Sequence, residues 1–164
     1  MRDALISIKP MYVQKILDGI KSVEIRSRRV ILLPGTRLWI YSTLPKGCLE
    51  AVAIVDSVEI DSPALIWQRY HEKIGISHSI FRSYINGSKS VSAIFLNYVR
   101  ELNPSVSLDF LRSKIQGFHP PQFIIHIDKS NPIFALLRER LQDIILEKDL
   151  NVRFLKGLTK LQTV

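Results

Sequence analysis

The sequence predicts one α+β domain of about six strands, and two patterns support this fold class. Short runs rich in Val, Ile and aromatic residues, bounded by Gly or Pro, are typical of strands. They occupy residues 4–8, 22–26, 38–41, 49–60, 90–99 and 123–127. Between several of these runs, apolar residues recur at helical spacing. With 164 residues and 46% apolar content, the chain can bury one core without a metal or a disulfide.

The N-terminal part of the sequence predicts a strand, a helix and a second strand in close succession. Pro10 suits the first turn of a helix, because its missing N–H would have no partner there. Gly19 provides the stop. The apolar residues between them follow the spacing of one helix face: Val13, Ile16, Leu17 and Ile20. A Pro34-Gly35 turn then precedes the strand at 38–41.

Serine caps divide the second half into shorter elements. A serine before an apolar-periodic segment predicts a helix start, because its hydroxyl accepts a hydrogen bond from a free backbone N–H. Helices are therefore predicted to begin after Ser62, Ser77 and Ser107. The corner Pro120-Pro121-Gln122 then leads into the last strand.

A last long helix is predicted to open at Asn131-Pro132 and to run to Leu150. It carries one continuous apolar stripe: Ile133, Leu136, Leu137, Leu141, Ile144 and Ile145. Residues 1–129 are thus predicted to form the domain, and residues 130–164 a helical extension packed on it. The end of the chain, 151–164, shows no clear period and is left open between a docked and a partly disordered tail.

Charge and cysteine content narrow the class of protein. Lys and Arg outnumber Asp and Glu by 23 to 15, which gives a net charge of +8. Such an excess is typical of a protein that binds an anion such as nucleic acid, but many proteins use the same charge only for solubility. Cys48 is the single cysteine, which excludes an internal disulfide. No apolar run reaches the ~18 to 20 residues of a membrane span, and the N-terminus lacks the pattern of a secretory signal. We expect a cytoplasmic protein without a membrane partner.

The most informative motif is Gly-x-Lys-x-x-Glu-x-Arg at residues 19–26, which lies between the first helix and the second strand. In a strand, alternate side chains share a face, so Glu24 and Arg26 point one way, with Lys21 at the lip. The two cations would attract a phosphate or a polarised carbonyl, and Glu24 would accept from an exocyclic amine of a base. The alternative is a surface ion pair worth at most about 1 kcal/mol.

Other candidates surround this motif. Arg28, Arg29 and Arg37 form a basic run that could follow a nucleic-acid backbone, or simply be solvated. Tyr41 and Ser42 lie where a strand leaves the core and could reach the cleft, whereas Trp39 is assigned to the core. Gln122 either faces the cleft or belongs to a rigid corner.

Neither a metal nor a cofactor is predicted. The four histidines do not fall into zinc-binding spacing: after His71-Glu72, the second histidine of the His-Glu-x-x-His pattern is missing. Cys48 follows a Pro-Lys-Gly turn. We interpret it as a small buried apolar residue rather than as a reactive thiol.

These segments together resemble the ASCH domain of the PUA-like superfamily, in a branch described as transcriptional regulators. The resemblance covers roughly residues 4–128 and includes further segments beyond the motif: Ser7-Ile8-Lys9-Pro10, 40–46, 52–58, 62–67, 75–77 and 120–122. It implies a small barrel-like fold with helices at one end, the last helix being an addition. It also implies a cleft, lined by the motif, that binds RNA, a nucleoside or a nucleotide.

The resemblance leaves two other functions open. Some small bacterial ASCH proteins hydrolyse the amide of N4-acetylcytidine with a lysine, a threonine and a distant glutamate. Lys21 matches the lysine, but the threonine position is Glu24 here, and Glu72 is the nearest candidate for the distant glutamate although a solvated helix residue is favoured. The third function is that of an adaptor, in which the helix at 131–150 binds a protein partner or a second copy.

Overall fold

The computed structural model describes residues 2–142, and residues up to Ile127 form one compact unit. Its elements are β1 (Asp3–Ile8), α1 (Pro10–Leu17), β2 (Val23–Arg26), β3 (Arg37–Ser42), β4 (Cys48–Asp61), α2 (Pro63–Ile74), α3 (His78–Ile85), β5 (Val91–Ser107), α4 (Leu108–Lys114) and β6 (Ile125–Ile127). A second unit begins at Asp128 and contains a helix, α5, described over residues 134–142. The rest of the predicted last helix and the tail at 151–164 lie outside the described residues.

The six strands form one mixed sheet in the order β2-β5-β4-β3-β1-β6. Strands β1 and β3 pair in parallel, and the other neighbours pair antiparallel. The fold class and the number of strands agree with the sequence prediction. Within the described residues, no pairing joins the outer strands β2 and β6, so the sheet is open and the barrel-like closure implied by the resemblance is not observed.

The largest difference from the prediction is the length of β5, which continues to Ser107 rather than ending near residue 99. Its ladder with β4 shifts register three times, and Tyr98 takes a positive φ of 48°, which marks an irregularity in the strand. After Tyr98, only one face of β5 is buried, and its buried residues are Leu102 and Val106. This half-buried, polar stretch has too few apolar residues to be predicted as a strand from composition.

Two apolar clusters position the helices relative to the sheet. Residues of β1 at alternate positions, Ala4, Ile6 and Ile8, pack in one cluster with Val13 and Ile16 of α1. In the other, β2 and β5 contribute Val23, Ile25, Val91 and Ala93, and α2 and α3 contribute Ile66, Ile74 and Phe81. Burial of Val23 and Ile25 turns the alternate residues of β2 to the opposite face. Trp39 is fully buried, so its assignment to the core is confirmed.

Candidate functional site

A cleft of about 550 Å³ lies beside the motif, between β2, the start of α1 and α3. Its lining combines charged residues on the floor with apolar and hydroxyl side chains on the walls: Ser7, Ile8, Lys9, Tyr12, Lys21, Glu24, Ile25, Arg26, Thr43, Ile76, Ser79, Ile80, Ser83 and Tyr84. The structure therefore brings Lys21, Glu24 and Arg26 to one concave surface. This is the size of cavity in which small ligands are bound by a few polar groups among apolar ones.

The floor of the cleft is a carboxylate held between two cations. Lys21 Nζ lies 3.2 Å from Glu24 Oε2, and Arg26 Nη2 lies 3.1 Å from Glu24 Oε1. The Glu24 side chain is 9% exposed, so these contacts are largely shielded from water, unlike the solvated ion pair that was the alternative. Each Glu24 oxygen carries one cation contact and can accept a further hydrogen bond.

The turn before β2 fixes this geometry. Gly19 has a φ of +74°, a conformation that a side chain would strain, and the Lys21 N–H donates to the Lys15 carbonyl at 2.9 Å. The chain thus reverses directly out of α1 into β2. The spacing Lys-x-x-Glu-x-Arg then places Glu24 and Arg26 on the strand face that the buried Val23 and Ile25 do not use.

Lys21 is buried at 3% exposure and makes three contacts. Besides the ion pair with Glu24, its ammonium donates to the Val23 carbonyl at 2.8 Å and to the Ile74 carbonyl at 2.9 Å. It also lies 5.9 Å from the centre of the Tyr12 ring, at the edge of cation–π distance. An ammonium has three N–H donors, so the protein already satisfies all of them.

Two buried polar groups beside the cleft, one on Arg26 and one on Ser7, have hydrogen-bonding capacity that the protein does not use. Arg26 Nη2 donates to the Ser7 carbonyl at 2.8 Å in addition to Glu24. Among residues 2–142, no hydrogen-bond partner is found for Arg26 Nε or for the Ser7 hydroxyl, and both atoms are buried. Buried polar groups are normally paired, so a donor and a hydroxyl without partners beside a cleft are features that a bound polar ligand would satisfy.

A second cleft of about 620 Å³ adjoins the first and shares Arg26 and Tyr84 with it. It is lined by the basic run after β2 and by the segment that leads into β6: Ser27, Arg28, Arg29, Val30, Ile31, Gln122, Phe123, Ile124 and His126. The Arg28 guanidinium lies over the Phe123 ring, 4.3 Å from its centre. The structure thus places Arg28, Arg29 and Gln122 together on one surface.

Arg37 does not lie on either cleft, which corrects its placement on the nucleic-acid surface. Its guanidinium is buried against Asp3, with Nε and Nη2 each donating to a carboxylate oxygen at 2.7 Å. Trp39 Nε1 donates to the same carboxylate at 2.9 Å. The residue is 6% exposed and its guanidinium binds Asp3, so Arg37 joins β3 to β1 instead of facing solvent.

Tyr41 and Ser42 also lie outside both clefts. They are 2% and 0% exposed, because β3 is covered on both faces, and the strand reaches the first cleft one residue later, at Thr43. Both hydroxyls are buried without a partner among residues 2–142. Burial, and to a lesser extent the nearby Cys48, raises the pKa of the Tyr41 phenol.

Sequence reasoning missed the helical wall of the first cleft. Ile80 and Tyr84 of α3 are 42% and 47% exposed, whereas Phe81 is 1% exposed. The spacing gave no signal, because positions 80, 81, 84 and 85 fall on one side of an α-helix and predict a single buried face. The structure instead buries Phe81 and leaves residues 80 and 84, one turn apart, to line the cleft.

We expect Cys48 to be a slow thiol in the native protein. It is 5% exposed, and burial raises the pKa of its thiol above the usual value, with the Glu50 carboxylate adding to the shift against a hydrogen bond from Ser105. Little thiolate should therefore exist at pH 8, and iodoacetamide should label the folded chain far more slowly than the urea-unfolded chain. Equal rates would contradict the described burial.

A raised thiol pKa also fixes the sign of a pH effect. The folded chain holds this proton more tightly than the unfolded chain, so the contribution to stability is complete below the unfolded pKa near 9.0 and is lost as pH rises through the folded value. Cys48→Ser should flatten that part of the stability profile.

None of the helices within residues 2–142 is both long and apolar enough to cross a bilayer.

Comparisons with known proteins agree with this architecture. An ASCH domain-containing ribonuclease of Zymomonas mobilis is 28% identical over 128 residues, which cover 78% of this chain and 86% of that protein. The crystal structure of ASCH from Zymomonas mobilis superposes with a TM-score of 0.74 at 26% identity, covering 87% of this chain and 93% of the other. A tyrosine-to-phenylalanine variant of that protein gives a TM-score of 0.75 at 25% identity, covering 88% and 97%. No family model matches the chain.

The fold and these neighbours define a small α+β domain built on one open mixed sheet, with a charged cleft at the turn between α1 and β2. The chain is similar in sequence and in fold to the ASCH domain proteins of Zymomonas mobilis.

Proposed function

We propose that this chain is an RNA- or nucleotide-binding ASCH module. One observation carries the proposal: a shielded carboxylate, held between two cations, forms the floor of a cleft that opens onto an arginine-lined second cleft. The name of the Zymomonas mobilis relative, a ribonuclease, supports RNA as the class of ligand.

The first cleft has the chemistry of a nucleobase site. Its apolar wall, Ile76, Ile80 and Tyr84, offers flat contact to a ring, and the Glu24 carboxylate below it accepts from amino groups. A hydrogen bond to an ionised carboxylate is about twice as strong as a neutral one. The unpartnered Arg26 Nε provides a donor for a ring nitrogen or carbonyl next to the amine.

The second cleft has the chemistry of a phosphate site. Arg28 and Arg29 follow directly from the strand that carries Glu24 and Arg26, so a nucleotide held in the first cleft would have its phosphate close to them. The Phe123 ring stacks against the Arg28 guanidinium and supports it at the cleft. Guanidinium groups match phosphate geometry, and contacts with phosphates carry no sequence information, which suits backbone binding.

The salt dependence of RNA binding tests this arrangement. Affinity should fall as salt rises, because cations bound to phosphates release counterions, with a slope of about 0.7 per phosphate on a single strand. Arg28→Gln with Arg29→Gln should lower that slope by about 1.4, as measured by fluorescence anisotropy of a labelled oligonucleotide over a salt series.

The matched control is Lys114→Gln. Lys114 is also an exposed cation beside a phenylalanine, 5.6 Å from the centre of the Phe110 ring, but it lines neither cleft. It should leave the slope unchanged. A response to salt that is equally steep in the double variant would remove Arg28 and Arg29 from the interface, and the absence of any binding would end the proposal.

Cleavage of the bound RNA is the second candidate function, and the name of the relative is the observation that favours it. In such a reaction Glu24 and Arg26 would face the reacting ribose or phosphate. Incubation of the chain with RNA, followed by gel analysis beside the Glu24→Gln variant, decides it: fragments from both proteins alike would point to a contaminant. Transcriptional regulation, hydrolysis of N4-acetylcytidine and an adaptor role for the last helix stay predictions.

A further inference from the structure

The end of α2 is bound by the segment that carries the motif. Three successive carbonyls there accept hydrogen bonds from residues 15–22: Lys73 O from Ser22 N at 3.0 Å, Ile74 O from Lys21 Nζ at 2.9 Å and Gly75 O from Lys15 Nζ at 2.7 Å. These contacts join positions more than fifty residues apart in the chain.

The chemistry of a helix end explains why two of these donors are lysines. The last carbonyls of a helix have no partner inside the helix and carry the negative end of its dipole. A cation placed there satisfies both the hydrogen bond and the charge. Gly75 is the left-handed cap of α2, with a φ of +69°, and a Cβ at this position would lie 2.9 Å from the Lys21 Cβ. The backbone of Gly75 is thus packed directly on Lys21.

The contacts between the end of α2 and the two lysines bear on the position of α3, which forms one wall of the first cleft. Directly after Gly75 the chain passes through Ile76 into α3, which supplies Ile80 and Tyr84 to the cleft. We infer that Lys21 is a positioning residue: together with Lys15 it forms a lysine clamp that holds the end of α2, and therefore the α3 wall, against the floor of the cleft. Glu24 and Arg26 are left to meet the ligand.

The contacts of Lys21 also differ from those expected of a lysine that takes part in hydrolysis. A general base or nucleophile needs a free electron pair directed at the substrate. All three donors of the Lys21 ammonium point at protein oxygens, and only 3% of the side chain is exposed. Lys15 shares the clamp but lines neither cleft, so its contribution can be tested apart from any ligand.

Hydrogen exchange tests the clamp without a ligand. Gly75→Ala and Lys15→Met should each speed amide exchange in α3 while α4 keeps its wild-type rates. The control is Gly117→Ala, because Gly117 has almost the same φ, +70°, but a Cβ there meets nothing within 4 Å. Both glycine variants carry similar backbone strain, but only the Cβ at position 75 meets other atoms, the nearest being Lys21 Cβ. Unchanged α3 exchange in both Gly75→Ala and Lys15→Met would overturn the clamp.

RNA binding supplies a second readout, which rests on the proposed function. Lys21→Met and Lys15→Met should weaken binding but leave the salt slope at its wild-type value, because neither lysine meets a phosphate. A slope lowered by about 0.7 in Lys21→Met would make Lys21 a ligand contact. Turnover of N4-acetylcytidine by the wild-type chain that is lost in Lys21→Met would make it catalytic.

These two readouts fail separately. If the chain binds no RNA, the proposed function falls, while the exchange rates of α3 still decide the clamp. If Lys21→Met does not fold, Lys15→Met and Gly75→Ala carry the same test, since each changes the clamp without removing the partner of Glu24.

Discussion

Asp3→Ala is expected to lower the free energy of unfolding by about 3 to 5 kcal/mol, the cost of leaving one member of a buried ion pair alone. The Asp3 carboxylate accepts two hydrogen bonds from Arg37 and one from Trp39, and both charged residues are almost fully buried. Without it, the guanidinium has neither water nor a counter-charge. Urea unfolding followed by circular dichroism measures the loss.

Two further variants separate burial from charge. Asp56→Ala removes an exposed aspartate of β4 and should change stability by no more than about 0.5 kcal/mol. Asp3→Leu combined with Arg37→Met removes both buried charges and should recover much of the loss, because apolar residues of similar volume often replace a buried ion pair at little cost. A loss below about 1 kcal/mol for Asp3→Ala would contradict the buried network.

The same pair shows where sequence reasoning about the site failed. Arg37 follows a Pro-Gly turn and continues a run of arginines, so a pattern confined to neighbouring residues predicts a solvated cation. Its partner, Asp3, is 34 positions earlier and faces it only because β1 and β3 pair in parallel with Asp3 opposite Arg37. A parallel pairing brings together distant segments, and no local periodicity contains that information.

The motif was predictable for the opposite reason. Lys21, Glu24 and Arg26 lie within six residues, so the alternation of one short strand is enough to place Glu24 and Arg26 on one face. The pattern could not predict the contact with the end of α2, which is more than fifty residues away in the sequence. There, Lys15 and Lys21 donate hydrogen bonds to the last carbonyls of that helix. The charged floor of the cleft is local in sequence, whereas its wall is a product of tertiary packing.

Replacing Glu24 by glutamine is expected to abolish discrimination between bases with and without an amino group. Cytidine and uridine monophosphate have nearly the same shape but differ at position 4, where cytosine has an amine and uracil a carbonyl, and at N3, which is an acceptor in cytosine and a donor in uracil. The Glu24 carboxylate accepts from the amine and repels the carbonyl, so wild type should bind cytidine monophosphate at least about tenfold more tightly, the equivalent of one charged hydrogen bond. A glutamine amide presents both a donor and an acceptor, so Glu24→Gln should bring the ratio close to one.

Isothermal titration with the two nucleotides measures this ratio, and stability must be followed alongside it. Lys21 and Arg26 lose their counter-charge in Glu24→Gln, so the variant should also unfold at lower urea concentration, since both cations are largely buried. Glu72→Gln is the control for charge alone, because Glu72 is exposed on α2 and lines neither cleft. A preference for cytidine that persists in Glu24→Gln would mean that the carboxylate does not touch the base. Its contacts with Lys21 and Arg26 would then serve only to hold the turn and β2 in place.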